Sequence, residues 1–287
     1  MGLQEHGLGK MVSCLTLFSL LNSTLNATHS KRVFLLGPSH HYYLSGCALS
    51  KCHIYKTPLG DLKLDLETID KLSQSNLFDR MSISNDEEEH SLEMHLPYIY
   101  KMLSLHFKEA SSFPPLVPIL VGSTSPDAER RYGKLLAPYL KDPTNVFVVS
   151  SDFCHWGTRF RYTYYQPSSG KAFNLRSSDK VPSNPPIHES IAAVDKACMD
   201  AVETGSFDHW QGVLEETGNT VCGRHPIGVV MAAIETLEAE EKSEPNEAAG
   251  SRSEVKRKFR FVRYERSSLC SSVRDSSVSY CSAFVVI

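Results

Sequence analysis

Residues 33–41, VFLLGPSHH, join an apolar run to two histidines through a Gly-Pro pair. The run 33–36 is β-branched, aromatic and leucine-rich, which is typical of a buried strand, and Gly37-Pro38 is a turn signal that ends it. The following segment, to His53, adds a third histidine and two cysteines. Two interpretations are open: these side chains bind a metal ion, or they belong to an ordinary surface loop.

Similar short apolar runs alternate along the chain with segments of helical periodicity. Predicted strands are residues 33–36, 48–55, 116–121, 146–149, 259–264 and 278–287. Predicted helices are residues 64–72, 91–107 with a kink at Pro97, 126–140, 187–202 and 226–237. This alternation indicates an α/β fold, in which helices cover both faces of a mostly parallel central sheet, as in a three-layer α/β/α sandwich.

The composition bounds the class of protein. The chain has 287 residues, of which 41% are hydrophobic and 22% charged, as in an ordinary globular protein. A net charge of −3 gives no basic excess for binding nucleic acid. We find no apolar run of the roughly 20 residues that a membrane span needs. Eight cysteines are too sparse for a disulfide framework, so we expect reduced thiols in a cytoplasmic protein, with the nucleus as an alternative.

Two segments differ from the rest of the chain. Residues 1–30 are predicted to be a divergent, poorly structured leader. Their apolar run 11–21, followed by NST and NAT, also resembles a signal-peptide core, but secretion is the weaker interpretation. Residues 238–257 are polar, and we expect a disordered insert there. The sequence therefore predicts a single domain over residues 31–287.

Polar side chains follow two predicted strands and precede one predicted helix. Ligands of such sheets bind outside the carboxyl ends of the strands, so we expect these side chains to meet. A carboxylate beside a histidine can fix its tautomer, which makes Asp152 and His155 an acid–base candidate. A hydrogen-bonded loop histidine and a buried structural thiol are the alternatives. The three segments supply these candidates: His40 and His41; Asp152 and His155; Cys222, Arg224 and His225.

A fourth segment, residues 85–98, has the sequence NDEEEHSLEMHLPY. Glu89 and Glu93 lie four residues apart, and His90 lies three residues before Glu93, so the three would form one helix face rich in acids and imidazole. The alternative is a solvated acidic helix start, because acids are favoured at the positive end of the helix dipole.

VFLLGPSHH, DEEEHSLEMHLPYIY, PILVG, VFVVSSDFCHWGTRFRYTYY, NTVCGRHPIGV and DSSVSY closely resemble the Memo family, mediators of receptor-tyrosine-kinase-driven cell motility. The resemblance runs from about Lys31 to the C-terminus. It implies a fold similar to the class III extradiol dioxygenases, which use non-haem Fe(II). It also implies metal binding by His40 and Cys222. His155 falls in the acid–base position with Asp152 beside it, and the remaining candidates are carried over as pocket residues: His41, His90, Glu93, Arg224 and His225.

The resemblance further implies a protein that binds iron or copper, takes part in redox chemistry and signals to the cytoskeleton. A non-enzymatic adaptor that binds a phosphotyrosine-bearing receptor tail is the alternative, because Arg224 before a helix suits an anion. A ring-cleaving dioxygenase is the least favoured activity. The family's N-terminal segment supplies a further metal histidine that has no counterpart in residues 1–30. We therefore expect a weakly held metal, or an inactive form, because two protein ligands are fewer than usual.

Overall fold

A computed structural model describes residues 30–243 and 257–287. The predicted leader and most of the predicted insert lie outside these residues. The strands are β1 (Arg32–Pro38), β2 (Cys47–Leu49), β3 (Ile54–Thr57), β4 (Gly60–Lys63), β5 (Phe78–Arg80), β6 (Leu116–Val121), β7 (Asn145–Val149), β8 (His155–Trp156), β9 (Tyr164–Tyr165), β10 (Phe173–Asn174), β11 (Arg260–Arg266) and β12 (Ser277–Phe284). The helices are α1 (Leu66–Ser73), α2 (Ile83–Glu88), α3 (His90–Glu93), α4 (Leu96–His106), α5 (Pro126–Lys141), α6 (Ile187–Glu203), α7 (Phe207–Thr217) and α8 (Arg224–Ser243).

The central sheet has five strands in the order β5-β2-β6-β1-β7. Strand β1 pairs in parallel with β6 and with β7, and β2 pairs in parallel with β5. The pairing of β2 with β6 is antiparallel. The predicted mixed α/β fold with a mostly parallel central sheet is therefore confirmed.

Strand β1 is buried because apolar side chains cover both faces of the sheet around it. Phe34 and Leu36 belong to a core cluster shared with α5 and α8, and the Phe34 ring stacks on Phe147 with 4.5 Å between centroids. Val33 and Leu35 belong to a second cluster that includes Leu96 and Ile99 of α4. Because successive side chains of β1 point to opposite faces of the sheet, the two clusters show that helices cover both faces.

The two strands nearest the C-terminus lie outside the central sheet. Strands β11, β12 and β8 form a separate antiparallel sheet, in which Val278 of β12 pairs with His155 of β8. This pairing fixes the backbone of His155 where its loop leaves the central sheet.

Three predicted boundaries need correction. The predicted strand 48–55 is two strands, because the Ser50 hydroxyl accepts the Cys52 backbone N–H and hydrogen-bonds Asp86, which ends β2. The predicted helix 91–107 is α3 followed by α4, and Pro97 lies in the first turn of α4, where a missing N–H is tolerated. Helix α8 begins at Arg224 and continues to Ser243, into the segment predicted as disordered.

Two expectations drawn from composition concern membrane-spanning helices and disulfides. The helices of the described ranges are too short or too polar for any one of them to cross a membrane. No disulfide joins the cysteines of these ranges.

Asp65 joins helix α1 to the central sheet, and its loss tests this connection. Its carboxylate caps α1 by accepting the Thr68 N–H at 2.9 Å and accepts the Arg32 Nε–H at 2.8 Å. Burial raises the pKa of this carboxyl, but the hydrogen bonds lower it below its usual value. We predict that Asp65→Ala lowers the free energy of unfolding by about 1–3 kcal/mol in urea titrations at pH 7.

Because the folded-state pKa is depressed, the contribution of Asp65 is present above its unfolded pKa of about 3.9 and is lost as pH falls through the folded value. Asp70→Ala is the matched control in the same helix, since its carboxylate is exposed and its ion pair with Arg80 is a surface contact. Equal losses for the two variants would contradict the role given to Asp65.

Candidate functional site

The loops after β1 and β7 leave the same edge of the central sheet. The two strands pair in parallel with Leu36 beside Val149, and the Ser150 N–H donates to the Leu36 carbonyl at 2.8 Å. The segments that carry His40 and Asp152 therefore begin side by side, as the sequence predicts for the carboxyl ends of neighbouring parallel strands.

A buried carboxylate fixes His40. Glu89 Oε2 accepts the His40 backbone N–H at 2.7 Å, and Oε1 lies 3.0 Å from His40 Nδ1. The Ser91 N–H also donates to Oε1, at 2.9 Å. Burial raises the pKa of Glu89, but these hydrogen bonds lower it to about 2. Since an ionised carboxylate only accepts hydrogen bonds, His40 carries its proton on Nδ1 and keeps the lone pair on Nε2.

Two further histidines lie beside His40. The His90 ring stacks on the His40 ring with centroids 4.5 Å apart, and His41 Nε2 lies 3.3 Å from His90 Nδ1. His90 Nδ1 is 3.7 Å from Glu89 Oε1. Burial, and then the charge of His40, lower the pKa of His90. The ligand atoms of His40, Glu89 and His90 lie within 4.8 Å of one another, a spacing that could hold a metal ion. Glu93 is exposed at the end of α3.

Asp152 and His155 lie together after β7. His155 Nδ1 lies 2.9 Å from the Phe153 carbonyl and 3.0 Å from the Thr220 carbonyl, so Nδ1 carries the proton. The lone pair is then on Nε2, which is 3.9 Å from Asp152 Oδ2. Burial raises the pKa of Asp152 to about 7, although His40 opposes the shift. Burial lowers the pKa of His155. The pair thus offers a carboxyl proton and an imidazole lone pair near neutral pH.

Cys222 contacts the backbone of Asp152. The Asp152 N–H donates to Cys222 Sγ at 3.0 Å, and the Cys222 N–H donates to the Asp152 carbonyl at 3.2 Å. When His40 is protonated, its charge lowers the pKa of the Asp152 carboxyl and of the His155 ring. Asp152 thus contacts Cys222, and its loop begins beside the loop of His40. His40 and Cys222 are the two residues that the sequence analysis assigned to a metal.

Arg224 and His225 interact elsewhere. His225 Nδ1 lies 2.7 Å from Oε1 of Glu129, a buried residue of α5. Arg224 Nε donates to His225 Nε2 at 3.2 Å. No hydrogen bond or ion pair of the described residues joins either side chain to His40 or Asp152. The anion site at Arg224, and with it the phosphotyrosine partner, stays a prediction.

The sequence analysis missed the carboxylate of Asp195, and it gave Glu89 only a place on an acidic helix face. Glu89 is the third of three successive glutamates, and only its burial distinguishes it from Glu87 and Glu88. Asp195 is buried in α6, where it accepts the Cys154 N–H at 3.1 Å and the Asn219 amide at 3.0 Å. Asp195 thus ties the loop of His155 to the segment of Cys222. The sequence signal for Asp195 was a single acidic residue on the apolar face of the predicted helix 187–202.

Known proteins share these segments. The sequence pattern of the family described as Memo-like protein matches residues 8–284. The chain belongs to the Memo family. It is 43% identical to Protein MEMO1 of Xenopus tropicalis over 258 residues, which are 90% of this chain and 76% of that protein. A MEMO1 family protein of Schizosaccharomyces pombe is 38% identical over 265 residues, which are 90% and 79% of the two chains.

A crystal structure of an uncharacterized protein from Escherichia coli K12 superimposes with a TM-score of 0.43 and 14% identity, covering 88% of this chain and 86% of that one. The resemblance to the Memo family is thus confirmed by sequence. The family match also begins before Lys31, in residues whose structure is not described.

Gly223 allows Cys222 to approach the β7 loop. A Cβ at this position would lie 2.3 Å from Ser151 Cβ and 2.4 Å from the Ser150 carbonyl oxygen, so the backbone would have to move. We predict that Gly223→Ala lowers the free energy of unfolding by about 1–3 kcal/mol in urea titrations.

Gly212 in α7 is the matched control, because a Cβ there meets no atom within 4 Å. Gly212→Ala should leave stability unchanged or raise it by up to about 1 kcal/mol, through helix propensity. A Gly223→Ala protein as stable as the Gly212→Ala protein would contradict the close approach.

Proposed function

We propose that this Memo protein binds iron or copper at the shared edge of β1 and β7 and takes part in redox chemistry linked to cytoskeletal signalling. The observation that carries the metal site is the hydrogen bonding of His40 to the buried carboxylate of Glu89. The redox and signalling roles are what the resemblance to the Memo family implies.

We also infer the three-layer fold of the class III extradiol dioxygenases, supported by helices on both faces of the sheet.

The residues fit such a metal. A histidine that ligates a metal commonly donates its other ring N–H to a carboxylate, which fixes the ring and the tautomer. His40 has this arrangement through Nδ1, which leaves Nε2 as the ligand atom. Cys222 supplies a sulfur beside Asp152. Imidazole and thiolate together favour iron or copper over magnesium or calcium.

The remaining polar groups suit proton transfer. Bound iron or copper would supply one-electron redox chemistry. His155 would accept a proton at Nε2, because two carbonyl groups hold its Nδ1–H in place. Asp152, whose carboxyl has a pKa of about 7, would donate a proton from Oδ2 when protonated. The two groups would serve as base and acid for a molecule bound between His40 and Cys222.

Metal content tests the ligands directly. We predict that protein purified without added metal contains iron or copper, and that His40→Ala and Cys222→Ser each lower the amount per chain by roughly tenfold. Inductively coupled plasma mass spectrometry gives the stoichiometry. Cys52→Ser is the matched control, because Cys52 is a half-buried thiol near the end of β2. Wild-type protein without metal, or ligand variants that match Cys52→Ser, would contradict the site.

The role of His155 is tested separately. We predict that His155→Gln keeps its metal but consumes oxygen on the order of 100-fold more slowly with ascorbate as reductant, because the proton acceptor is lost. An oxygen electrode measures the rate on desalted, metal-loaded protein. His188→Gln is the control, since this α6 histidine lies in hydrogen-bonding distance of the Cys270 carbonyl rather than of a residue of the proposed site. An unchanged rate for His155→Gln would contradict its role, and a metal-loaded wild type that consumes no oxygen would contradict the redox function.

A further inference from the structure

At the end of β1, His40 and His90 lie beside one oxygen of the Glu89 carboxylate, and His41 lies beside His90. His40 Nδ1 lies 3.0 Å from Glu89 Oε1, and His90 Nδ1 lies 3.7 Å from the same oxygen. His41 Nε2 lies 3.3 Å from His90 Nδ1. The His40 atom involved is Nδ1, whereas the iron or copper site proposed above uses Nε2.

We propose that His40, His41, Glu89 and His90 form a second metal site, on the Nδ1 side of His40, for a borderline divalent cation such as Zn²⁺. Both sites involve His40 and Glu89, but Glu89 only orients His40 in the first site and is itself a ligand in the second. The second site does not need Cys222, so this proposal does not rest on the proposed function.

The spacing and chemistry of the ligand atoms suit such a cation. Four ligands placed tetrahedrally at about 2.1 Å from zinc are roughly 3.4 Å from one another. The separations of 3.0 and 3.7 Å from Glu89 Oε1 to His40 and His90, and of 3.3 Å between His90 and His41, lie around that value. The ligand atoms of His40, Glu89 and His90 all lie within 4.8 Å of one another, and His41 would be the fourth ligand. Three nitrogens and one carboxylate oxygen favour Zn²⁺ or Cu²⁺, because Ca²⁺ and Mg²⁺ prefer sites built from oxygen.

Glu89 is fixed before any cation binds. Its carboxylate is buried, and the backbone N–H groups of His40 and Ser91 hold both of its oxygens. By contrast, His41 is exposed and the His90 side chain is 52% exposed, so an ion can reach the site from solvent. This combination of one immobile carboxylate and two accessible imidazoles favours metal binding, since the Glu89 side chain needs little ordering when the ion binds.

Binding requires local rearrangements of the three histidines. The His40 and His90 rings lie at an interplanar angle of 14°, so their lone pairs do not yet converge on one point. The half-exposed His90 ring can turn, and the exposed His41 ring can move toward Glu89, without disturbing the core. His40 must also move its proton from Nδ1, because a neutral imidazole has one lone pair. Zn²⁺ at Nδ1 then leaves Nε2 protonated, so the two metal sites compete for His40.

Calorimetric titration of metal-free protein with Zn²⁺ tests the site. We expect wild type to bind one Zn²⁺ here, and His41→Ala and His90→Ala to weaken binding by at least about tenfold, since even a residue that only orients a ligand contributes that much. Both positions are exposed, so the variants should fold. His53→Ala, at another exposed histidine, and Cys222→Ser should bind as wild type does.

Wild type that binds no Zn²⁺, or binding unaffected by His41→Ala and His90→Ala, would overturn the proposal. An equal loss in His53→Ala would overturn it as well. If Cys222→Ser alone abolishes binding, the ion occupies the site of the proposed function and the second site is wrong. Co²⁺ gives an independent readout: the second site predicts d–d bands without a sulfur-to-cobalt charge-transfer band, and that band would place the ion on Cys222.

Discussion

The chemistry of this edge of the sheet depends on the hydrogen bonds between His40 and the buried carboxylate of Glu89. A carboxylate can remain ionised away from water only when donors satisfy it, and Glu89 receives two backbone N–H groups and one ring N–H. In return it fixes the tautomer of His40. Without that constraint, neither ring nitrogen of His40 would have a defined role.

Backbone contacts bring the other segments to the same place. The parallel pairing of β1 with β7 sets the loops side by side, and the close approach of Gly223 to Ser151 brings Cys222 against Asp152. The buried carboxylate of Asp195 joins the loop of His155 to the segment of Cys222, because it accepts the Cys154 N–H and the Asn219 amide N–H. The loop residues of the proposed site are thus held by buried hydrogen bonds, which is how a site built on loops gains precision.

The sequence was informative where one local rule decides the structure. The uninterrupted apolar runs of β1, β6 and β7 predicted the parallel core, and Pro126 marked the start of α5 because proline suits a first helical turn. Pro97 was misinterpreted because a helix start and a helix kink have the same local signal. The break after β2 depends on Ser50 contacting Asp86, which is distant in sequence. For the site, the histidines and Cys222 were visible as residue types, but Glu89 required knowledge of burial, which a run of three glutamates conceals.

The central claim is that His40 Nε2 and Cys222 Sγ face one metal ion. Anomalous diffraction from crystals of the protein grown anaerobically with Fe²⁺ or Cu⁺ tests it most directly, since the signal locates the metal without reference to activity. We predict a peak within about 2.0–2.3 Å of both His40 Nε2 and Cys222 Sγ, the distances of metal–imidazole and metal–thiolate bonds. A map with no peak between these two atoms, in crystals that contain the metal, would contradict the account.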